Sequence, residues 1–189
     1  MKITIIPAFV RSIFFISAAL SIISCASQKS TTATTEKLIY SGDIEAKGLT
    51  KTEIISRVNK WAVNNYKNYS SVVQQNNPSS LAINGVTSVF LTYEGSHTRQ
   101  VEEDSYNYQI RVTANDQTCT LTLNNYISTR PNSTLLTSKI NRLKYIENMD
   151  AGKRRKKILT QYAEDEYSQL DKHAADIFRA VEKSINKPI

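Results

Sequence analysis

The chain has 189 residues, 40% of them hydrophobic and 22% charged, with 24 basic and 17 acidic side chains for a formal net charge of +7. That length suits one domain with a core of its own, and the charge is too mild for a polyelectrolyte. Two cysteines, Cys25 and Cys119, and two histidines, His97 and His173, leave too few ligands for a zinc cluster and no Cys-x-x-Cys pair.

Residues 1–24 contain Lys2 and Arg11 but no acid, and the apolar run Ser12 to Ile23 follows Arg11. The run is short of the roughly 20 apolar residues a bilayer span needs. It does fit a secretory apolar region of about 7 to 15 residues behind a positive start. Its end, Ile22-Ile23-Ser24-Cys25, resembles a bacterial lipobox. Aliphatics hold the segment at the bilayer, the small Ser24 fits a tight protease subsite, and only a thiol accepts a diacylglycerol as thioether. Residues 1–24 are therefore expected to be a lipoprotein signal peptide, with Cys25 as the lipidated first residue after cleavage. Losing Lys2 and Arg11 leaves 22 basic against 17 acidic side chains, a net +5. Cys119 then has no intramolecular partner, so an exported chain must bury it.

Residues 25–37 are Ser/Thr-rich with no large apolar side chain and read as a flexible tether. Residues 38–189 are expected to form a single α+β domain. Leu38, Tyr40, Ile44 and Ala46 share one parity, as a half-buried strand requires. Thr50 and Glu53 are spaced as a capping box, with Leu49 and Ile54 as its hydrophobic staple. Ile54, Ile55, Val58, Trp61, Ala62 and Tyr66 then recur on one helical face, which makes Trp61 a core residue.

Beyond Asn68 the pattern becomes β-like. Tyr106, Tyr108, Ile110 and Val112 alternate with polar residues, and after a turn at residues 114–117 Cys119, Leu121, Leu123 and Ile127 alternate with Thr118, Thr120, Thr122, Asn124 and Tyr126. This predicts a hairpin with one apolar and one wet face. Residues 128–148 fit a turn followed by either a short strand or a helix. From Ala151 onward, Ala163, Tyr167, Leu170, Ala174, Ile177 and Val181 form a helical stripe that Phe178 widens, predicting a long terminal helix that ends before Pro188.

The order strand, helix, four strands, helix implies a two-layer sandwich with a mainly antiparallel sheet and helices on one face. The stretch from Tyr40 to Ser128 resembles the domain-of-unknown-function family 4468 of bacterial lipoproteins. Its shared features are a Gly-acid strand start, the Leu49-Thr50-Lys51 helix entry with Glu53, the aromatic at Trp61, and Val72-Val73-Gln74. The resemblance implies a TATA-binding-protein-like (TBP-like) fold and an envelope address. It supplies no catalytic residues.

No Gly-x-Ser-x-Gly, phosphate loop or Rossmann glycine set occurs, and Glu164-Asp165-Glu166 reads as a solvated helical face. No metal or other cofactor is expected. The wet strand face Asn107, Gln109, Arg111, Thr120, Thr122, Asn124 and Tyr126 is the candidate surface for an envelope protein or glycan, against the alternative of an ordinary solvated sheet. The run Lys153, Arg154, Arg155, Lys156 and Lys157 is either a solvated helix start or a contact for anionic head groups. Nucleic acid is not expected, because export separates the two and because minor-groove readers of this kind need apolar wedges and several cations. The expected function is a lipid-anchored, non-enzymatic binding module of the bacterial outer membrane, facing the periplasm. The alternative is a hydrolase acting on an envelope polymer.

Overall fold

A computed structural model of the protein describes residues 38–94, 99–129 and 139–187. The expected signal peptide, the tether, Cys25 and His97 lie outside the described residues. β1 (Tyr40–Glu45) leads to α1 (Lys51–Asn65), the single turn α2 (Tyr69–Val72) and β2 (Val73–Asn77). The long strands β3 (Ser80–Glu94) and β4 (Arg99–Asn115) follow, then β5 (Thr118–Ser128), α3 (Lys139–Asn148) and α4 (Lys153–Ile185). The strands form one antiparallel sheet in the order β1-β5-β4-β3-β2. The architecture is α+β, as the element order implies; of the segment left open, residues 139–148 are a helix and residues 130–138 lie outside the described residues.

Local chemistry explains the starts and stops. The Thr50 hydroxyl accepts from the Glu53 amide while the Glu53 carboxylate accepts from the Thr50 amide at 2.8 Å, closing the capping box. Asp116, in the two-residue turn between β4 and β5, accepts the Lys51 amide at 2.9 Å, so the hairpin tip also caps α1. The other turn residue, Gln117, has φ 66°, and its carbonyl accepts from Ala46. The Arg57 guanidinium donates to the carbonyls of Ile185 and Lys187 and so closes the C-terminus of α4.

The core lies between one sheet face and the helices. Leu81, Ile83, Val89 and Leu91 of β3, Tyr106, Tyr108, Ile110 and Val112 of β4, and Cys119, Leu121 and Leu123 of β5 are buried. Ile54, Ile55, Val58, Trp61 and Ala62 of α1 cover them, together with Leu170, Ala174, Ile177, Val181 and Ile185 of α4. Cys119 is buried as expected, and burial pushes its thiol up to about 11, leaving it a poor nucleophile. Gly42 lets the Phe178 ring approach β1, since a Cβ there would lie 3.1 Å from the ring.

One element departs from strict alternation. Asn107 pairs with Ile127 but Gln109 pairs with Asn124, so Asn125 and Tyr126 stand together opposite Tyr108. Asn125 occupies the left-handed region at φ 57°, which asparagine tolerates better than most residues. The result is a β-bulge that reverses the strand's facing. Tyr126 is buried against the helices and Ile127 turns outward, which corrects both expected positions.

Candidate functional site

Antiparallel pairing fixes which side chains share the uncovered face. Gln75, Ala82, Arg111, Thr122 and Ser41 form one cross-sheet row, and Asn84, Gln109 and Asn124 form the next. Val86, Asn107 and Ile127 form a third. Six of the seven expected face residues, Asn107, Gln109, Arg111, Thr120, Thr122 and Asn124, are therefore together. Tyr126 is not. Gln109 donates to Asn84 at 3.3 Å, Thr120 to Asp43 at 2.7 Å, and the Thr122 and Ser41 hydroxyls lie 3.0 Å apart.

The face is less polar than the sequence reading implied. Val86, Phe90, Val101 and Ile127 remain 64%, 54%, 62% and 38% exposed on it. Among the side chains described on it, Asp43, Glu45 and Glu103 outnumber the cation Arg111, a poor match for a phosphate backbone.

A second feature was not anticipated. A cavity of about 710 Å³ lies between the end of α1, α2, α4 and β3, with Trp61, Tyr66, Tyr108 and His173 in its wall. The Trp61 and Tyr66 rings meet edge to face at 5.9 Å, Tyr108 stacks on Tyr126 at 5.6 Å, and His173 stands edge-on to Tyr108 at 4.8 Å. The Tyr66 and Tyr108 hydroxyls lie 3.0 Å apart. Desolvation raises both phenols and lowers the imidazole, against the pull of Asp176, so this wall favours neutral groups. Gly85 makes room for it: a Cβ there would lie 2.4 Å from Tyr108 Cζ. Trp61, Tyr66 and Tyr108 were legible as core, but their meeting at an opening depends on tertiary packing.

The acidic stretch on α4 also needs correction. Glu164 and Asp165 are exposed but Glu166 is buried beside Ala163 and Tyr167. Its carboxylate accepts from the Tyr106 hydroxyl and pairs with Arg142 of α3 at 3.3 Å. The same phenol lies 2.8 Å from Asp104, which also accepts from Ser128 at 3.0 Å. Burial is offset by these partners, so the cluster ties α3 and α4 to the sheet. The basic run opens α4 as expected, and Lys156 donates to the Glu147 carbonyl at the end of α3 at 2.7 Å. Lys153, Arg154, Arg155 and Lys157 are exposed. Ile140, Tyr145 and Ile158 are also exposed on α3 and α4. Among the described residues no group of three His, Cys, Asp or Glu side chains is placed to hold a metal ion, and no helix is long and apolar enough to cross a membrane.

Residues 40–127 match the model of a domain of unknown function with TBP-like fold, DUF4468. This segment is a DUF4468 domain. The match spans β1 through nearly all of β5, so α3 and α4 lie outside it. A crystal structure of a DUF4468 family protein from Bacteroides ovatus ATCC 8483 aligns with a TM-score of 0.55 at 16% identity, covering 80% of this chain and 88% of that one. A TBP-like protein from Parabacteroides distasonis ATCC 8503 aligns with a TM-score of 0.49 at 16% identity, over 77% and 93% of the two chains. Comparison with curated proteins gives no match. At such identity the B. ovatus likeness establishes the fold of the DUF4468 domain and nothing of its chemistry.

Proposed function

We propose that the protein is a lipid-anchored binding module of the bacterial cell envelope, with no catalytic chemistry of its own. Cys25 is the anchor, moored in the outer membrane with the domain on the periplasmic side, and residues 26–37 give it reach. Several acyl chains at one residue suffice for stable mooring, since each buried methylene contributes about 0.8 kcal/mol. Lys153, Arg154, Arg155 and Lys157, with Ile158 beside them, rest against anionic head groups.

The observation that carries the binding role is the uncovered sheet face, where Val86, Phe90, Val101 and Ile127 stay exposed among amides and hydroxyls. Solvation alone does not call for four large apolar side chains on one face. A partner surface uses them for affinity and uses Asn107, Gln109, Arg111, Thr120, Thr122 and Asn124 for orientation. The apolar share favours an envelope protein over a glycan.

Two measurements test this reading. Mass spectrometry of protein extracted from native membranes should find Cys25 at the N-terminus carrying a diacylglycerol; an unmodified thiol there removes the anchor. A photo-reactive residue in place of Asn107 should give one discrete adduct in cells, lost in the Val86→Lys, Ile127→Lys double variant. The same probe in place of Asp116 should give none. Equal labelling from both positions removes the partner face.

A further inference from the structure

The β3 edge is open over a short, bounded length. β2 pairs with it only from Ser80 to Ile83. Further along, the Gln169 side chain of α4 occupies Phe90, accepting from its N–H at 2.9 Å and donating to its C=O at 2.8 Å. Backbone groups alternate between the two edges of a strand with a period of two. Since Phe90 directs both of its groups away from β4, Asn84, Val86 and Ser88 do the same, while Gly85, Thr87 and Val89 bond β4. The last β2 pair, Val73 with Ile83, sets the Val72 C=O against the Asn84 N–H, so among the described residues the outward groups with no strand beside them are those of Val86 and Ser88.

The cavity of about 710 Å³ abuts this gap, with Asn84, Gly85 and Val86 in its lining. We infer that the gap between Val73 and Gln169 is a docking site for an extended peptide of a partner protein. The peptide adds one strand along Val86 and Ser88 and turns one apolar or aromatic side chain into the cavity. Three features select this occupant. Two successive pairs of outward N–H and C=O groups, two residues apart, are matched in register by another polypeptide backbone. Trp61, Tyr66 and Tyr108, in a wall that favours neutral groups, suit an uncharged side chain. Val73 on one side and Gln169 on the other limit the insert to about five residues. The inference does not depend on acylation of Cys25 or on use of the uncovered face, so those readings and this one fail separately.

The test is amide hydrogen exchange by NMR on the full chain. In the free protein the amides of Val86 and Ser88 should exchange about 100-fold faster than those of Gly85 and Thr87. Blocked peptides of about eight residues, with Val, Ile, Tyr or Phe alternating with Thr, should slow the two fast amides at least about tenfold at about 1 mM. N-methylation at alternate peptide residues should abolish the effect in one phase and leave it in the other. Val86→Pro removes an outward N–H without touching the β4 ladder and should also abolish it. If that variant does not fold, the two N-methylated peptides decide the question. The inference is overturned if the two amides are already protected in the free chain, including by a second copy in a manner relieved by dilution. It is also overturned if no peptide in the panel slows them, or if both N-methylation phases bind equally.

Discussion

At the scale of single residues, Gly85 and His173 show how the aromatic wall is held. Tyr108 lies across Gly85, pinned by Tyr126, His173 and the Tyr66 hydroxyl. Gly85→Ala pushes a methyl group into that ring and should cost about 1 to 3 kcal/mol in urea unfolding. Combining it with Tyr108→Val should cost less than the sum of the two single changes, because the obstructing ring is gone. His173 is held below its ordinary value, chiefly by burial against Tyr108 and Tyr126 with Asp176 opposing. A base with a depressed folded pKa binds protons more readily when unfolded. Stability from this site is therefore complete above the unfolded value of about 6.5 and is lost as pH falls below it. Urea midpoints at pH 7.5 and 5 should differ more in the natural protein than in His173→Phe.

At the scale of elements, the helices were the most legible. The stripe on α1 and the stripe on α4 were readable because a helix buried on one side shows it every three or four residues. Thr50→Ala opens the capping box of α1 and should cost about 1 kcal/mol in thermal or urea unfolding. The alternation of β4 and the first half of β5 was equally plain. β3 was not, because LAINGVTSVFLTYE carries apolar residues on both parities. Only its pairing with β4 shows Leu81, Ile83, Val89 and Leu91 turned in and Val86 and Phe90 turned out. Tyr126 was misplaced for a different reason: a left-handed asparagine leaves no mark in a hydrophobic pattern. Glu166 was misread because its neighbours Glu164 and Asp165 are solvated, whereas its own partners, Tyr106 and Arg142, lie far away in sequence.

At the scale of the whole molecule, the matched family segment does not contain its own cover. Residues 40–127 supply the sheet and α1, but Leu170, Ala174, Ile177, Val181 and Ile185 of α4 complete the same core. A chain truncated after residue 138 would expose much of the apolar sheet face and should lose cooperative thermal unfolding, with collapsed dispersion in its amide NMR spectrum. Retention of a sharp transition would mean that the sheet and α1 suffice. The extra residue in β5 carries a separate lesson about length. Asn125 is the residue in excess, so deleting it would leave Asn124, Tyr126 and Ile127 in plain alternation, with the ring still inward and the aliphatic chain still outward. A one-residue loss here should therefore be borne better than one between Thr118 and Leu123, where the ladder has no spare residue to give up.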